Sequence, residues 1–254
     1  MNRITHKQFL QKLKNSDSTI IKELYSQWKN WLYDEYAAYE YNENLLLIEG
    51  KDKYKVDMFI FNYDSCKELL KKYKNDNNCT DLCVSLIGKL PEELDKYYGW
   101  RCFERIGINE RMVYDNIKLL TKEDKNDVFE LCNRLLKQGN FSSCVADDLQ
   151  SYIENEDDKN LKNKKTYGYY NGDMLIGFVI IDHFPSIHYS HLSTIGVLEE
   201  YRRNGIGTKL SKFVLSLYPD EKYHYQASHL NKASIRLAIS LGFKFAGVRE
   251  LIIK

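Results

Sequence analysis

The chain has 254 residues, of which 43% are hydrophobic, and a formal net charge of +1 at pH 7. This length fits one large domain or two small ones, and the apolar fraction is that of a globular protein with a sizeable core. Balanced charge without basic blocks argues against general binding to nucleic acid or anionic membranes. The longest apolar runs are too short to cross a bilayer, and the N-terminus lacks the apolar core of a signal peptide. We therefore expect a cytoplasmic protein, with neither nucleic acid nor membrane among its partners.

Six cysteines are scattered along the chain without a Cys-x-x-Cys pair. Cys79 and Cys83 are spaced closely enough for half of a metal site, but no matching Cys/His pair stands nearby. The residues therefore predict free, mostly buried thiols and no metal.

The first half of the chain reads as an α/β domain. Apolar residues at three- and four-residue spacing predict helical structure over residues 5–41. NLLLIEG and VDMFIFN read as short strands, SCKELLKKYK as a helix, DLCVSLIG as a strand and PEELDKYYGW as a helix with Pro91 in its first turn. No motif here points to chemistry, so residues 1–112 are assigned to an N-terminal α/β domain of unknown role.

Polar residues and a glycine interrupt the apolar pattern over residues 107–116, and a second domain is assigned to residues 113–254. The strand IKLLT is followed by a helix that Gly139 closes and by the helix ADDLQSYIEN. A hairpin then turns at NGD. The remaining elements are the strand IHYSHLSTIGV, a helix from about Ile206, the strand KYHYQAS, the helix NKASIRLAISLG and a closing strand.

The stretch YRRNGIGTKL, residues 201–210, joins the strand that ends near Val197 to the helix that begins near Ile206. Glycines let the backbone turn tightly and approach a ligand closely. The start of the helix offers unpaired N–H groups and a positive dipole end, and the arginines add charge. These properties predict a site for an anion, most simply a pyrophosphate. The spacing is neither the dinucleotide fingerprint, which needs a third glycine, nor a Walker A loop.

The wider stretch IGVLEEYRRNGIGTKL resembles the coenzyme A motif of the GNAT (GCN5-related N-acetyltransferase) family. Its matching residues are Ile195, Gly196, Val197, Arg202, Gly205 and Gly207. A second stretch, NKASIRLAISLGF, resembles another motif of that family through Asn231, Ser234, Leu237, Gly242 and Phe243. The resemblance covers about residues 114–254. It implies an α/β (α+β) fold with a mixed, mainly antiparallel sheet flanked by helices, preceded by the smaller N-terminal domain.

The resemblance implies an N-acetyltransferase. Such an enzyme moves an acetyl group from acetyl-coenzyme A, as co-substrate, to a primary amine of a small molecule or peptide, by direct attack in a ternary complex. The strand end would pair with the pantetheine arm, and an N–H group such as that of Val197 would polarise the thioester carbonyl. The implied coenzyme-binding residues are Ile195, Gly196, Val197, Arg202, Arg203, Asn204, Gly205, Ile206, Gly207, Thr208 and Asn231.

The acceptor amine must lose a proton, which requires a base. Many family members carry a Glu on the strand before the motif. Strand alternation counted back from Val197 predicts that Ile195, Ser193, His191 and Tyr189 share one face. His191 is the candidate base, since an unperturbed imidazole pKa of ~6.5 suits proton removal near neutrality. A purely structural role for His191 stays open, and this half also contains His183, His188, His224 and His229.

One position departs from the family pattern. Where the family often has a tyrosine as general acid, this chain has Ala238. The leaving thiolate would then take its proton from Tyr223, Tyr225 or water, and Tyr225 is the candidate named here. The departure keeps open a non-catalytic coenzyme A sensor or interaction module. Two further hypotheses are that the N-terminal half is a degenerate copy of the same fold and that the chain forms a homodimer.

Overall fold

The computed structural model describes residues 1–28, 36–50, 56–77, 81–139, 141–155 and 162–253. These residues divide into two compact units, which are interleaved along the chain. The first unit holds residues 1–104, 226–239 and 243–254, and the second holds residues 105–225 and 240–242. The predicted linear division into residues 1–112 and 113–254 stays a prediction.

Twelve strands and seven helices are found in the described residues. In chain order they are β1 (Asn2–Ile4), α1 (His6–Asn15), α2 (Thr19–Trp28), β2 (Tyr36–Tyr41), β3 (Leu45–Gly50), β4 (Val56–Ile60), α3 (Tyr63–Asp76), β5 (Leu82–Ile87), β6 (Trp100–Ile106), β7 (Ile117–Leu119), α4 (Lys125–Lys137), α5 (Ser143–Glu154), β8 (Lys164–Asn171), β9 (Met174–Phe184), β10 (Tyr189–Val197), α6 (Ile206–Leu215), β11 (Lys222–Ser228), α7 (Lys232–Ser240) and β12 (Lys244–Ile253). No helix among the described residues is both long and apolar enough to cross a membrane.

The sheet of the first unit has the strand order β1-β2-β3-β4-β5-β12-β6. Its register pairs are antiparallel except between β4 and β5, which run parallel. Helices cover both faces, which explains why β3 is a continuous apolar run. Leu45 and Leu47 pack in a core with Cys66 and Leu70 of α3. The alternate residues Leu46 and Ile48 pack in a second core with Phe9, Leu13 and Ile21 of α1 and α2.

The sheet of the second unit has the strand order β11-β10-β9-β8-β7. All neighbours are antiparallel except β10 and β11, which are parallel and joined through α6. The two faces of β9 meet different helices. Gly177 lies near Ile206 of α6, and Phe178 meets Phe141, which precedes α5, edge to face. The predicted fold class, a mixed and mainly antiparallel sheet flanked by helices, is confirmed.

The two units share one order of elements. In each, a short strand and two helices lead to three antiparallel strands, and a helix then returns the chain to a parallel neighbour. Between the third strand and that helix, the first unit has only residues 61–62, whereas the second has residues 198–205. The shared order supports the hypothesis that the first unit is a degenerate copy of the second, which stays a prediction.

Two expectations about the first half were wrong. Helical structure was expected over residues 5–41, but Tyr36–Tyr41 forms β2, because its backbone pairs with both β1 and β3. PEELDKYYGW was expected to be a helix. Only Glu92–Leu94 forms a 3-10 turn, and the chain enters β6 at Trp100 to pair with β12. Residues 29–35 of the expected helix lie outside the described residues.

Cys79 also lies outside the described residues. Of the other cysteines, which are free, Cys66, Cys102 and Cys132 are buried and Cys83 and Cys144 are exposed. Within the described ranges, no group of three or more His, Cys, Asp or Glu side chains is arranged to hold a metal ion.

The backbone of β12 at Gly247 leaves no room for a side chain. It has φ +145°, and a Cβ built there would lie 2.1 Å from the carbonyl oxygen of Leu86. We expect Gly247→Ala to lower the free energy of unfolding by about 3 kcal/mol or more, since backbone on both sides must shift. Gly88→Ala is the matched control, because Gly88 has φ +87° but open space at its Cβ position. It should cost about 1–2 kcal/mol. Equal losses in denaturant unfolding would contradict the steric explanation.

Candidate functional site

A β-bulge in β10 shapes the candidate site. The antiparallel register with β9 shifts between Leu192 and Thr194, which leaves Ser193 as the extra residue. The parallel register with β11 covers only Tyr189–Leu192, opposite Lys222–Tyr225. Beyond the bulge β10 continues to Val197. In this part it pairs with β9 but not with β11. The strand therefore leaves β11 at the bulge.

The free edge of β10 carries the backbone groups of Val197. Leu198 donates its N–H to Ile176 of β9 at 3.0 Å. Successive residues of a strand direct their N–H groups to opposite edges. The N–H of Val197 therefore points away from β9, and its carbonyl oxygen on the same edge accepts a hydrogen bond from Nε of Arg202 at 3.0 Å. Arg202 thus ties the following loop back to the strand end.

The bulge also corrects one prediction. Regular alternation was expected to place Ile195 on the same face as His191. In the structure His191 is opposite Asp182 of β9, whereas Ile195 is opposite Val179, an odd number of residues away. The two side chains therefore lie on opposite faces of the sheet, because the bulge adds one residue to β10. Alternation in the sequence does not reveal such an insertion.

The loop that follows β10 has the form predicted for an anion cradle. A 3-10 turn at Glu199–Tyr201 leads to Arg203 and Gly205, which adopt left-handed backbone with φ of 64° and 74°. A Cβ at Gly205 would meet nothing within 4 Å. The first N–H groups of a helix have no intrahelical acceptor, and Gly205, the N-cap of α6, offers them no side-chain hydrogen bond. Arg202, Arg203 and Asn204 are exposed beside them.

Gly196 is needed for packing. A Cβ there would lie 2.3 Å from Cε1 of Phe178. A Cβ at Gly177, opposite Val197, would lie 3.0 Å from the carbonyl oxygen of Gly196 and 3.5 Å from Cγ2 of Ile206. These two glycines let β9, β10 and the first residue of α6 lie close together. The sequence pattern marked Gly196 as a coenzyme residue and gave no sign of this packing role.

Side chains at the C-terminal end of α4 hold the 3-10 turn Glu199–Tyr201, which precedes the anion-binding loop. Arg134 forms an ion pair with Glu200, and Gln138 donates to the other oxygen of Glu200 at 3.0 Å. Gln138 also accepts a hydrogen bond from the N–H of Glu199 at 3.0 Å. Backbone hydrogen bonding, with Arg134 and Gln138, lowers the pKa of Glu200. Sequence reasoning missed this contact, and its one signal was the four-residue spacing of Arg134 and Gln138.

The candidate base and acid lie where β10 and β11 stop pairing. His191 is opposite His224 in the parallel register, and Tyr225 is opposite Leu192 in the next pair. His191 and Tyr225 are therefore on opposite faces of the sheet. Both are buried, with relative exposures of 8% and 5%.

The remaining predicted residues have local roles. The hydroxyl of Tyr223 donates to the carbonyl oxygen of Val214 at 2.6 Å, and burial raises its pKa, so this tyrosine is held as a donor to α6. Oδ1 of Asn231 accepts the N–H of Ser234 at 3.0 Å and so caps α7. Ala238 is fully buried.

Comparisons with known proteins show which family this arrangement resembles. Residues 130–243 match the model of the acetyltransferase (GNAT) family. A GCN5-related N-acetyltransferase from Sphaerobacter thermophilus has a TM-score of 0.52 at 10% identity, over 96% of this chain and 88% of that one. A functionally unknown conserved protein from Staphylococcus epidermidis has a TM-score of 0.50 at 16% identity, over 87% and 93% of the two chains. No curated protein matches the chain.

Residues 130–243 therefore match a GNAT acetyltransferase domain, and this match supports an acyltransferase. The matched segment runs from within α4 to the residue before β12 and includes the bulged strand, the loop and α6. The resemblance predicted from the two sequence motifs is confirmed.

The brace from α4 can be tested by a charge-matched pair of variants. Arg134→Gln removes the ion pair with Glu200 and should weaken acetyl-coenzyme A binding a few-fold, because the turn before the cradle loses its anchor. Lys137→Gln removes the same charge from the exposed side of the same helix and should leave affinity unchanged. Calorimetric titration measures both, and equal effects would mean that net charge, and not the brace, sets the affinity.

Proposed function

We propose that this chain transfers the acetyl group of acetyl-coenzyme A to a primary amine of a small molecule or peptide, by direct attack in a ternary complex. The observation that carries the proposal is the continuous path from the free edge of β10 through the left-handed loop to the uncapped start of α6. Each part suits a different part of the coenzyme.

The loop suits the pyrophosphate. Backbone N–H groups from Arg203 to Thr208 would donate to the phosphate oxygens, aided by the positive end of the α6 dipole. The exposed side chains of Arg202 and Arg203 add positive charge. Gly205 keeps the approach clear, since nothing lies within 4 Å of its Cβ position. Ile206 is buried against the sheet and anchors the first turn of α6.

The free edge of β10 suits the pantetheine arm. Backbone groups of Ile195 and Val197 would pair with its amides as an added strand would. The N–H of Val197 points to this edge, which supports its role as the donor that polarises the thioester carbonyl. One such donor contributes roughly 10²–10³-fold in rate. Asn231, which caps α7, would contact the pantetheine through its amide NH₂.

In the proposed reaction the acceptor ammonium loses two protons, and one proton is returned to the leaving thiolate. His191 would take a proton from the acceptor ammonium, and the freed electron pair of the nitrogen would attack the thioester carbon. Val197 would hold the resulting oxyanion. Collapse of this intermediate breaks the carbon–sulfur bond, and the thiolate would be protonated by Tyr225 or by water. That donor would be reprotonated by the second proton, which the nitrogen loses as the amide forms.

The second candidate function is coenzyme A binding without catalysis, as a sensor or interaction module. Ala238 supports it, because the fully buried methyl group stands where many family members carry the tyrosine that protonates the thiolate. A thiol has an ordinary pKa of ~8.5, so its thiolate is a tolerable leaving group without that acid. The ease with which the thiolate leaves favours the acetyltransferase over the sensor.

The deciding experiment is titration of the full chain with acetyl-coenzyme A, followed by addition of a panel of primary amines while free thiol is measured. Binding with amine-dependent thiol release is expected. Binding without release by any amine would favour the sensor. Failure to bind acetyl-coenzyme A would contradict both candidates.

Gly205→Glu tests the cradle. The variant places a carboxylate where phosphate and backbone must meet, so we expect acetyl-coenzyme A binding to be lost in a calorimetric titration. Gly172→Glu is the matched control, because Gly172 also has left-handed backbone, with φ 60°, and nothing within 4 Å of its Cβ position. It lies in the β8–β9 turn and should bind normally. Normal binding by Gly205→Glu would remove the loop from the coenzyme site.

A further inference from the structure

We propose that Arg101, His229 and Lys232 form an anion-binding site in the first unit, which takes the carboxylate or phosphate group of a small ligand. None of these three residues belongs to the set proposed above to bind acetyl-coenzyme A or to transfer its acetyl group. The site therefore does not depend on the proposed function.

The guanidinium of Arg101 is a buried cation of which one nitrogen is not used. The side chain of Arg101, on β6, is 8% exposed. Its Nη2 donates to the backbone carbonyl oxygen of Asp95 at 2.9 Å and to Oδ1 of Asp95 at 3.0 Å. Its Nη1 is also buried, but it has no hydrogen-bond acceptor within the described part of the chain. Because native structures satisfy nearly all buried N–H groups, this nitrogen indicates an acceptor that the chain itself does not supply.

A second unsatisfied nitrogen lies close to the first. The backbone N–H of His229, which follows β11, donates to the carbonyl oxygen of Gly99 at 3.2 Å, two residues before Arg101. The imidazole meets the ring of Tyr98 edge to face, with ring centroids 5.2 Å apart. Nδ1 of His229 is buried, and no described residue forms a hydrogen bond with it. Two buried nitrogens of neighbouring side chains thus both need a partner.

The charges around His229 show that this nitrogen can act as a donor. Burial lowers the pKa of His229, the positive charges of Arg101 and Lys232 lower it further, and Asp95 opposes them. His229 is therefore neutral near pH 7. A neutral imidazole carries its proton on either nitrogen, so a ligand with an acceptor oxygen can select the tautomer in which Nδ1 donates.

The balance of charge selects an anion over water or a cation. The charged groups that act on His229 are Arg101 and Lys232, which are positive, and Asp95, which is negative. The side chain of Asp95 is 71% exposed, so water screens its charge. Lys232 is the first residue of α7, where the helix dipole also favours negative charge. A carboxylate or a phosphate offers oxygens to both buried nitrogens and forms charge-assisted hydrogen bonds with the guanidinium.

The test is an NMR titration of the full chain, with ¹⁵N-labelled histidine, against sodium acetate and, separately, sodium phosphate at constant pH and ionic strength. We expect the ring signals of His229, identified by their loss in His229→Gln, to change and to saturate at millimolar anion. Saturation with acetate alone indicates a ligand with a carboxylate, and saturation with phosphate alone indicates a phosphate ligand. If neither anion produces a saturable change, the proposal is overturned and water satisfies the two nitrogens.

Two variants with opposite expected effects separate anion binding from disturbance of the fold. Arg101→Gln removes the buried donor and should abolish the saturable change. Asp95→Asn removes the exposed carboxylate that competes for the guanidinium and should tighten anion binding a few-fold. Unchanged binding in Arg101→Gln, or weaker binding in Asp95→Asn, would contradict the assignment.

A pair of exposed lysines keeps the proposal testable if Arg101→Gln does not fold. Lys232→Gln should weaken anion binding a few-fold. Lys244→Gln removes the same charge opposite Glu104, at the other end of β6 from Arg101, and should leave the affinity unchanged. Equal effects of the two variants would mean that net charge, and not this site, attracts the anion. Because no coenzyme or acceptor is added, the result is independent of the acetyl-coenzyme A titration that tests the proposed function.

Discussion

The bulge at Ser193 is the constraint on which the candidate site depends. One extra residue ends the pairing of β10 with β11 after Leu192 and leaves the edge up to Val197 unpaired with that neighbour. Unpaired backbone groups at a strand edge can receive an extended ligand. The same insertion changes the face on which later side chains lie, so the side chain of Ile195 is on the face opposite that of His191.

The anion cradle is held by contacts to the end of β10 and, through the turn before it, to α4. Arg202 ties it to the carbonyl of Val197, and Arg134 of α4 and Gln138, which caps that helix, hold the turn before it. Gly177 and Gly196 let the neighbouring strands and α6 lie close together. A loop fixed in this way has less conformational freedom to lose when a phosphate binds. The exposed arginines are thus presented by a preorganised backbone.

The first unit has the same order of elements but lacks a loop of this length between its third strand and the helix that follows. Its parallel strands β4 and β5 are also joined by a helix, α3, but only two residues precede that helix. The side chain of Asn62 accepts the N–H of Ser65 and so caps α3, whereas Gly205 leaves the start of α6 uncapped. The difference in loop length and cap, and not the strand order, distinguishes the unit that carries the candidate anion site.

The sequence by itself determined most local elements of the second half and the class of protein. Glycines and turn residues marked the NGD hairpin and the start of α6 at Ile206, and two motifs indicated the GNAT domain, because these signals depend on residues close together in the chain. Only the tertiary structure placed α7 and β12 with the first unit, inserted the bulge, and brought His191 beside Asp182 and His224. Strand register and side-chain packing decide these features. They join residues that are distant in sequence, and no local pattern records which strands will pair or where one of them gains a residue.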